Sequence, residues 1–326
     1  MNPVRILSTL ATSTVLAIAS GAACAQAAAY PCPAVKLVSP YPPGGTTDLL
    51  ARLIQPGLMK ELGTPVIVEN KAGASSNIGI EFVATAAPDG CTLLLGSNTG
   101  IVINRNLYKL RVDPVKGLAP IGQVASVPLV LYVSAGVPAT SLSQLVELAK
   151  KNPGKLSYAS AGSGSPQHLM GELLKLEQKI SLAHIPYKGS GPAIQDVVAG
   201  QVEMSFEAMS VIVPQLASGR IRALATTGAA RSAGLPNVPT MKEQGMPGFV
   251  TENWYGLFAP AGTPAALVRR LNGALNTVLD SREARMSLDK MGSADVKGTP
   301  ETFAKFIASE LPLWESVVKR SGAKVD

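Results

Sequence analysis

The sequence predicts an α/β protein folded as two doubly wound lobes with a cleft between them. Three observations predict it. The chain has 326 residues, which exceeds the size at which single hydrophobic cores stop growing. Short apolar runs alternate with longer amphipathic ones in two successive series, the pattern of parallel sheets covered by helices. Glycine- and serine-rich turns stand where strands of each series lead into helices, and doubly wound sheets bind ligands at such carboxyl ends. The composition agrees: 46% hydrophobic and 16% charged residues, with 31 Gly and 25 Pro to punctuate short elements, exclude a disordered chain.

The first 25 residues read as an export signal. Arg5 is their one charge, a mostly apolar run covers 6–19, and Ala23-Cys24-Ala25 offers a small-residue cleavage site before Gln26. A buried first helix is the alternative, but the run is short and leads into alanines and Pro31 without a capped turn. Lipid attachment at Cys24 would call for a large aliphatic residue where Gly21 stands. Removing 1–25 takes away one basic residue and no acid, so the net charge of +7 falls to +6. The Lys and Arg residues are scattered and lack aromatic interleaving, which suits diffuse attraction of anions better than a nucleic-acid groove, with mere solubility as the alternative reading.

The first series then runs strand 34–39, helix from Leu49 to Leu62, strand 65–69, loop 72–77, helix 78–87 and strand 92–95. After the Val- and Leu-rich stretch 117–133, a second series opens with a helix that Ser141 caps and Asn152-Pro153-Gly154 stops. Strands at 156–160, 182–186, 202–206 and 221–226 follow, with helices near 167–179, 191–199 and 209–218 between them. A Pro/Gly-rich passage, 235–248, leads to one more strand, 254–259, and two terminal helices start near Thr263 and Thr299. This order makes a discontinuous first lobe, 26–126 with 253–326, and an inserted second lobe, 127–252. The chain crosses between them twice, near 124–131 and 248–255. Cys32 and Cys91 each directly precede a strand, and the first and third strands of a doubly wound sheet are parallel neighbours, so a disulfide is expected between them.

Two loops carry the chemistry. The first holds Tyr41, Pro43, Gly44, Gly45, Thr46 and Thr47 between strand and helix. The second holds Ala161, Gly162, Ser163, Gly164 and Ser165, with His168 in the helical turn that follows. Glycine admits close backbone approach, hydroxyls donate hydrogen bonds, and a helix N-terminus carries free N–H groups and the positive end of a dipole. Such turns attract anions, although each could also be no more than a well-capped loop. Gly73 to Gly79, and Ser97, Asn98 and Thr99, occupy equivalent loop positions nearby. Lys188 is a second candidate anchor, or a solvated lysine.

Enzymatic signatures are missing. No phosphate-binding Gly-x-x-x-x-Gly-Lys motif or Gly-x-Ser-x-Gly elbow occurs, and His168 and His184 are the only imidazoles. His168 reads as a surface or capping residue and His184 as a satisfied core residue, neither as a base. No cysteine or histidine spacing suits a metal, and no cofactor is expected.

At these loops the sequence resembles the substrate receptors of tripartite tricarboxylate transporters, the Bug receptors. The residues that carry the likeness are Pro42-Pro43-Gly44-Gly45 with Asp48, Val68-Glu69-Asn70-Lys71 and Ala87-Pro88-Asp89-Gly90, then Tyr158 to Gly162 with His168-Leu169. Ile185-Pro186-Tyr187-Lys188-Gly189, Leu235-Pro236-Asn237 and Ala259-Pro260-Ala261-Gly262 extend it over the rest of the chain. The resemblance implies a type II periplasmic-binding-protein fold and a periplasmic, monomeric receptor for a small carboxylic acid, held by backbone amides, hydroxyls and water. Transporter subunits in the membrane or a sensor kinase are the implied partners, and an enzyme of organic-acid metabolism is the rival reading. Where the family usually shows Phe-Asp-Asn, this chain has Phe206-Glu207-Ala208, which puts Glu207 among the candidate contacts with its role open.

Overall fold

The computed structural model describes residues 30–232 and 234–324; the expected export segment, with Cys24, lies outside them. The first block runs β1 (Val35–Ser39), α1 (Thr46–Leu62), β2 (Val66–Asn70), α2 (Asn77–Ala84) and β3 (Thr92–Ser97). The strands pair in parallel in the order β2-β1-β3. In α1 the buried side chains Leu50, Ile54, Leu58 and Leu62 recur every four residues along one stripe, each stabilising the fold by about 1.5–3 kcal/mol when removed from water. Gly63 ends the helix at φ 67°, a left-handed turn that returns its N–H to Met59 O. Two short helical turns, a wide π turn at Thr99–Ile103 and a tight one at Asn104–Asn106, and the short α3 (Pro114–Gly117) were not legible as periodicity because each is under six residues.

The Val- and Leu-rich stretch is one long strand, β4 (Leu118–Ser134), buried along nearly its whole length. The second block follows: α4 (Leu142–Lys151), β5 (Ser157–Ser160), α5 (Pro166–Gln178), β6 (Ala183–Pro186), α6 (Ser190–Val198), β7 (Met204–Ala208), α7 (Met209–Leu216) and β8 (Ile221–Thr226). Ser141 caps α4 by accepting from Gln144 N. β9 (Glu252–Pro260) then returns to the first block, ahead of α8 (Ala265–Asp280), α9 (Arg282–Lys290) and α10 (Pro300–Ser321). Thr299 and Thr302 form a capping box at the start of α10. Among the described residues no helix is long and apolar enough to cross a membrane.

The α/β architecture is as expected, with one refinement of strand direction. β6, β5 and β7 are parallel, but β9 is antiparallel to β3 and β4, and β4 is antiparallel to β7 and β8. Alternation in sequence reports the parallel neighbours inside a block. It carries no information about β4 and β9, which leave and return in opposite directions and meet across more than a hundred residues. β4 pairs β9 from Leu118 to Pro128 and changes partner at Leu129, which lies opposite Ala208 at the end of β7. The C-terminal helix also reaches the second block: Arg320 Nη2 on α10 meets Glu177 Oε1 on α5 at 2.6 Å.

The second block is packed around a polar stack. His168 and His184 lie face to face at 4.0 Å, and Tyr158 stacks on His184 at 4.8 Å. Tyr158 OH donates to Glu172 Oε1 (2.6 Å), which also takes Lys175 Nζ (2.8 Å). The Tyr158 ring sits so close to Gly171 that a Cβ there would lie 2.2 Å from it. His184 Nε2 meets Ser160 Oγ at 2.7 Å. His184 is thus hydrogen-bonded as expected but only half-buried, on the edge strand β6, whereas His168 is buried and no surface group. Burial, and then the neighbouring His168, push the His184 pKa down from 6.5 to about 4.

Two predictions follow from these contacts. Cys32 and Cys91 are joined, with Cα atoms 5.5 Å apart at the starts of β1 and β3. Thiol titration of the denatured, unreduced protein lacking residues 1–25 should find no free thiol, and Cys91→Ser should lower the unfolding free energy by about 2–4 kcal/mol in a denaturant titration. For His184, the unfolded chain binds a proton at its ordinary 6.5 and the folded chain only at about 4. Stability is therefore full above 6.5 and declines as pH falls towards about 4. Melting followed across that window should show the decline, and His184→Gln, which cannot be protonated, should flatten it.

Candidate functional site

A cavity of roughly 670 Å³, counting its open mouth, lies where the two blocks face each other, a size suited to a small organic ligand. The loop from β1 to α1 forms one wall, through Tyr41, Pro43, Gly45, Thr46 and Thr47. Gly44, at φ 88°, makes the turn but does not line the cavity; its N–H is held by Asp48 Oδ2 at 3.1 Å. The same carboxylate accepts from Arg52 Nε (3.0 Å) and Asn70 Nδ2 (2.9 Å), and Asn70 also holds Tyr41 O at 3.0 Å. Burial would raise the Asp48 pKa, but the bonds from Arg52, Asn70 and Gly44 outweigh it and hold the carboxyl below its ordinary range. An ionised aspartate therefore braces the loop from behind.

What the loop presents to the cavity is a helix end without a side-chain cap. Gly45 stands at the N-cap of α1 and has no side chain to satisfy the first N–H groups. Thr46 and Thr47 open the helix, and Thr46 is hydrogen-bonded to Tyr255 OH, which also takes Asn253 Nδ2 at 2.8 Å. Ser97 and Thr99 join this wall, Ser97 through a 3.3 Å contact with Tyr41 OH. Asn98 does not. Its Oδ1 caps Thr99 N (2.9 Å) and its Nδ2 reaches Glu252 O (3.3 Å), fastening the end of β3 to the start of β9.

The second block faces the cavity differently from what the sequence suggested. Of the loop after β5, Ala161 and Ser165 line the wall, but Gly162, Ser163, Gly164 and His168 do not. The loop uses its donors on itself: Gly162 N goes to Ser160 Oγ (3.2 Å), Gly164 N to His168 Nδ1 (3.0 Å), and His168 N to Ser165 Oγ (3.3 Å). Ser163 O accepts Tyr108 OH from the opposite block at 3.1 Å. So α5 begins with a satisfied end. The helix end without a side-chain cap on this side belongs to α6, whose N-cap is Gly189. Lys188, Gly189, Ser190, Gly191 and Pro192 all line the cavity. Sequence reading missed this end except for Lys188, although Gly189-Ser190-Gly191-Pro192 after a strand has the same turn chemistry as the loops it singled out.

Glu207, Gln167 and Asn253 complete the lining. Glu207 is buried; its Oε1 accepts Ala208 N (2.8 Å) and Gln167 Nε2 (3.1 Å), and Ser190 bonds to it as well. Burial raises its pKa, opposed by the bonds from Ser190, Ala208 and Gln167. Gln167 Oε1 and Asn253 Oδ1 are buried with no hydrogen-bond partner among the described residues. Away from the cavity, Cys32, Asp89 and Cys91 cluster, but both sulfurs belong to the disulfide and offer no thiolate to a metal.

A family model described as the tripartite tricarboxylate transporter family receptor matches residues 50–323. Protein BugT of Bordetella pertussis is 37% identical over 331 residues, covering 100% of both chains. Two solved structures superpose over most of the chain. Rpa4515 of R. palustris with adipate is 34% identical with a TM-score of 0.87, over 91% of this chain and 100% of that one. MatC from Rhodopseudomonas palustris with bound malate is 34% identical with a TM-score of 0.83, over 89% and 100%. The chain belongs to the family of tripartite tricarboxylate transporter receptors.

Proposed function

We propose that the protein is exported to the periplasm by residues 1–25 and there captures a small carboxylate between its lobes, for delivery to membrane transporter subunits or to a sensor kinase. The observation that carries the reading is the pair of helix ends, α1 and α6, that open into one cavity with no side-chain cap on either. A carboxylate leaving water must recover hydrogen bonds, and backbone N–H groups with the Thr47 hydroxyl can supply them. The dipoles add attraction that strengthens as the site excludes solvent. Adipate in one relative and malate in another support this ligand class. The anchor from the second lobe is assigned to the α6 turn instead of Gly162 to Gly164. A receptor is favoured over a catalyst because both imidazoles are stacked on each other behind the second loop, outside the cavity wall.

The lobes are taken as 26–126 with 253–326 and as 127–252, with bending where β4 changes partner and where β9 begins. Ligand then closes the cleft by a hinge motion. Solution scattering should record a smaller radius of gyration on saturation with a bound acid, and an unchanged envelope would count against the hinge. A thermal-shift screen of adipate, malate and other small acids tests the ligand class, since ligand at a hundred times its Kd adds about 2.7 kcal/mol. With an acid that binds, calorimetry on Thr47→Val should show affinity reduced about tenfold, as expected for losing one hydrogen bond to a charged group. Ser163→Ala, outside the cavity, should leave it unchanged. A screen in which no carboxylate raises the melting temperature would sink the proposal.

A further inference from the structure

The deep wall of the cleft is built from acceptors. Gln167 turns its amide nitrogen to Glu207, at 3.1 Å from Oε1 and 3.3 Å from Oε2, and the reverse orientation would set its oxygen against both carboxyl oxygens. That leaves Gln167 Oε1 buried and unpartnered. Asn253 likewise gives its nitrogen to Tyr255 OH and leaves Oδ1 unpartnered. Both residues line the cavity, and both are more than nine-tenths buried, with exposures of 3% and 6%. Buried acceptors without donors are costly, and a site that keeps them is completed by a ligand that brings donors.

Beside Gln167 stands Glu207, 2% exposed. Its bonds come from Ser190, Ala208 and Gln167, none of which carries a charge. A buried carboxylate surrounded only by neutral donors lacks the cation that normally accompanies such a group. Burial accordingly pushes its pKa upward.

We propose that the acid bound here also carries a protonated amine, which donates to Glu207 and Gln167 Oε1, with Asn253 Oδ1 as a further acceptor on the same wall. The inference rests on the carboxylate-receptor reading and refines its ligand class. An ammonium has three N–H donors and a positive charge, so it meets both deficiencies at once. A second carboxylate has neither at neutral pH and would face Glu207 with like charge. A hydroxyl supplies a single donor and no charge. The ligand is then polar along its length, with its carboxylate at the α1 and α6 ends and its amine at Glu207.

Matched probes test this on the full mature chain: L-aspartate against succinate, L-glutamate against glutarate, and 6-aminohexanoate against hexanoate, measured by calorimetry. In a pair that binds, the amine-bearing member should bind at least tenfold more tightly. Glu207→Gln should abolish that preference by weakening the amine-bearing member, and Glu207→Asp, which keeps the charge, should retain it. Equal or tighter binding of the amine-free acids, or a preference that survives Glu207→Gln in a variant that melts like the parent, overturns the inference and leaves the carboxylate reading intact. Binding by no probe overturns both.

Discussion

The antiparallel pairing of β4 with β9 is the constraint on which the rest of the molecule depends. These strands run side by side from Leu118 opposite Pro260 to Pro128 opposite Glu252, and beyond that point β4 becomes the strand on which the second block is assembled. The cavity is a consequence of this handover. Asn253 and Tyr255 come from β9 and Glu207 from β7, flanking β4 on its two sides. Residues nearly fifty positions apart in sequence thus line one space, because each pairs with the same strand.

The two walls achieve their chemistry by opposite means. In the first, the fold removes a competitor: glycine at the N-cap of α1 supplies no side chain, while Asp48 takes up the N–H of Gly44 behind the turn. In the second, the loop rich in Gly and Ser consumes its own donors through Ser160, Ser165 and His168. Similar composition therefore produces one open helix end and one closed one. The difference lies in which side chain is near enough to cap, and a serine at the N-cap of α5 closes what a glycine at the N-cap of α1 leaves open.

That contrast explains how much was legible in the sequence. Helix stripes such as Leu50 to Leu62, the Ser141 cap and the order of strands were readable because they depend on neighbours three or four residues away. The Cys32–Cys91 bridge was readable because parallel adjacency of β1 and β3 is a property of the topology. The candidate site was half legible. Thr46, Thr47, Ala161, Ser165 and Glu207 reach the cavity, whereas Gly162 and His168 were misplaced because loop composition does not reveal internal hydrogen bonds. Asn253 and Tyr255 also line it and carried no local signal, since their positions are set by strand pairing at long range, whereas Ser75 and Gln167 belong to segments that the sequence had marked. The α6 turn did carry one, in Gly189-Ser190-Gly191-Pro192.

The side-by-side crossing also has a mechanical meaning. A lone strand between two bodies is a swivel, free to bend and to twist. Two strands joined by a ladder of hydrogen bonds form a ribbon, which flexes across its thin direction and resists shear and rotation. Arg320 reaching Glu177 from α10 and Tyr108 reaching Ser163 across the cleft add restraints on the same movement. Under the proposed hinge motion, such a ribbon would leave the two lobes one path along which to part and return, and each return would bring the α1 and α6 ends back to the same spacing, a gauge for the length of what is held.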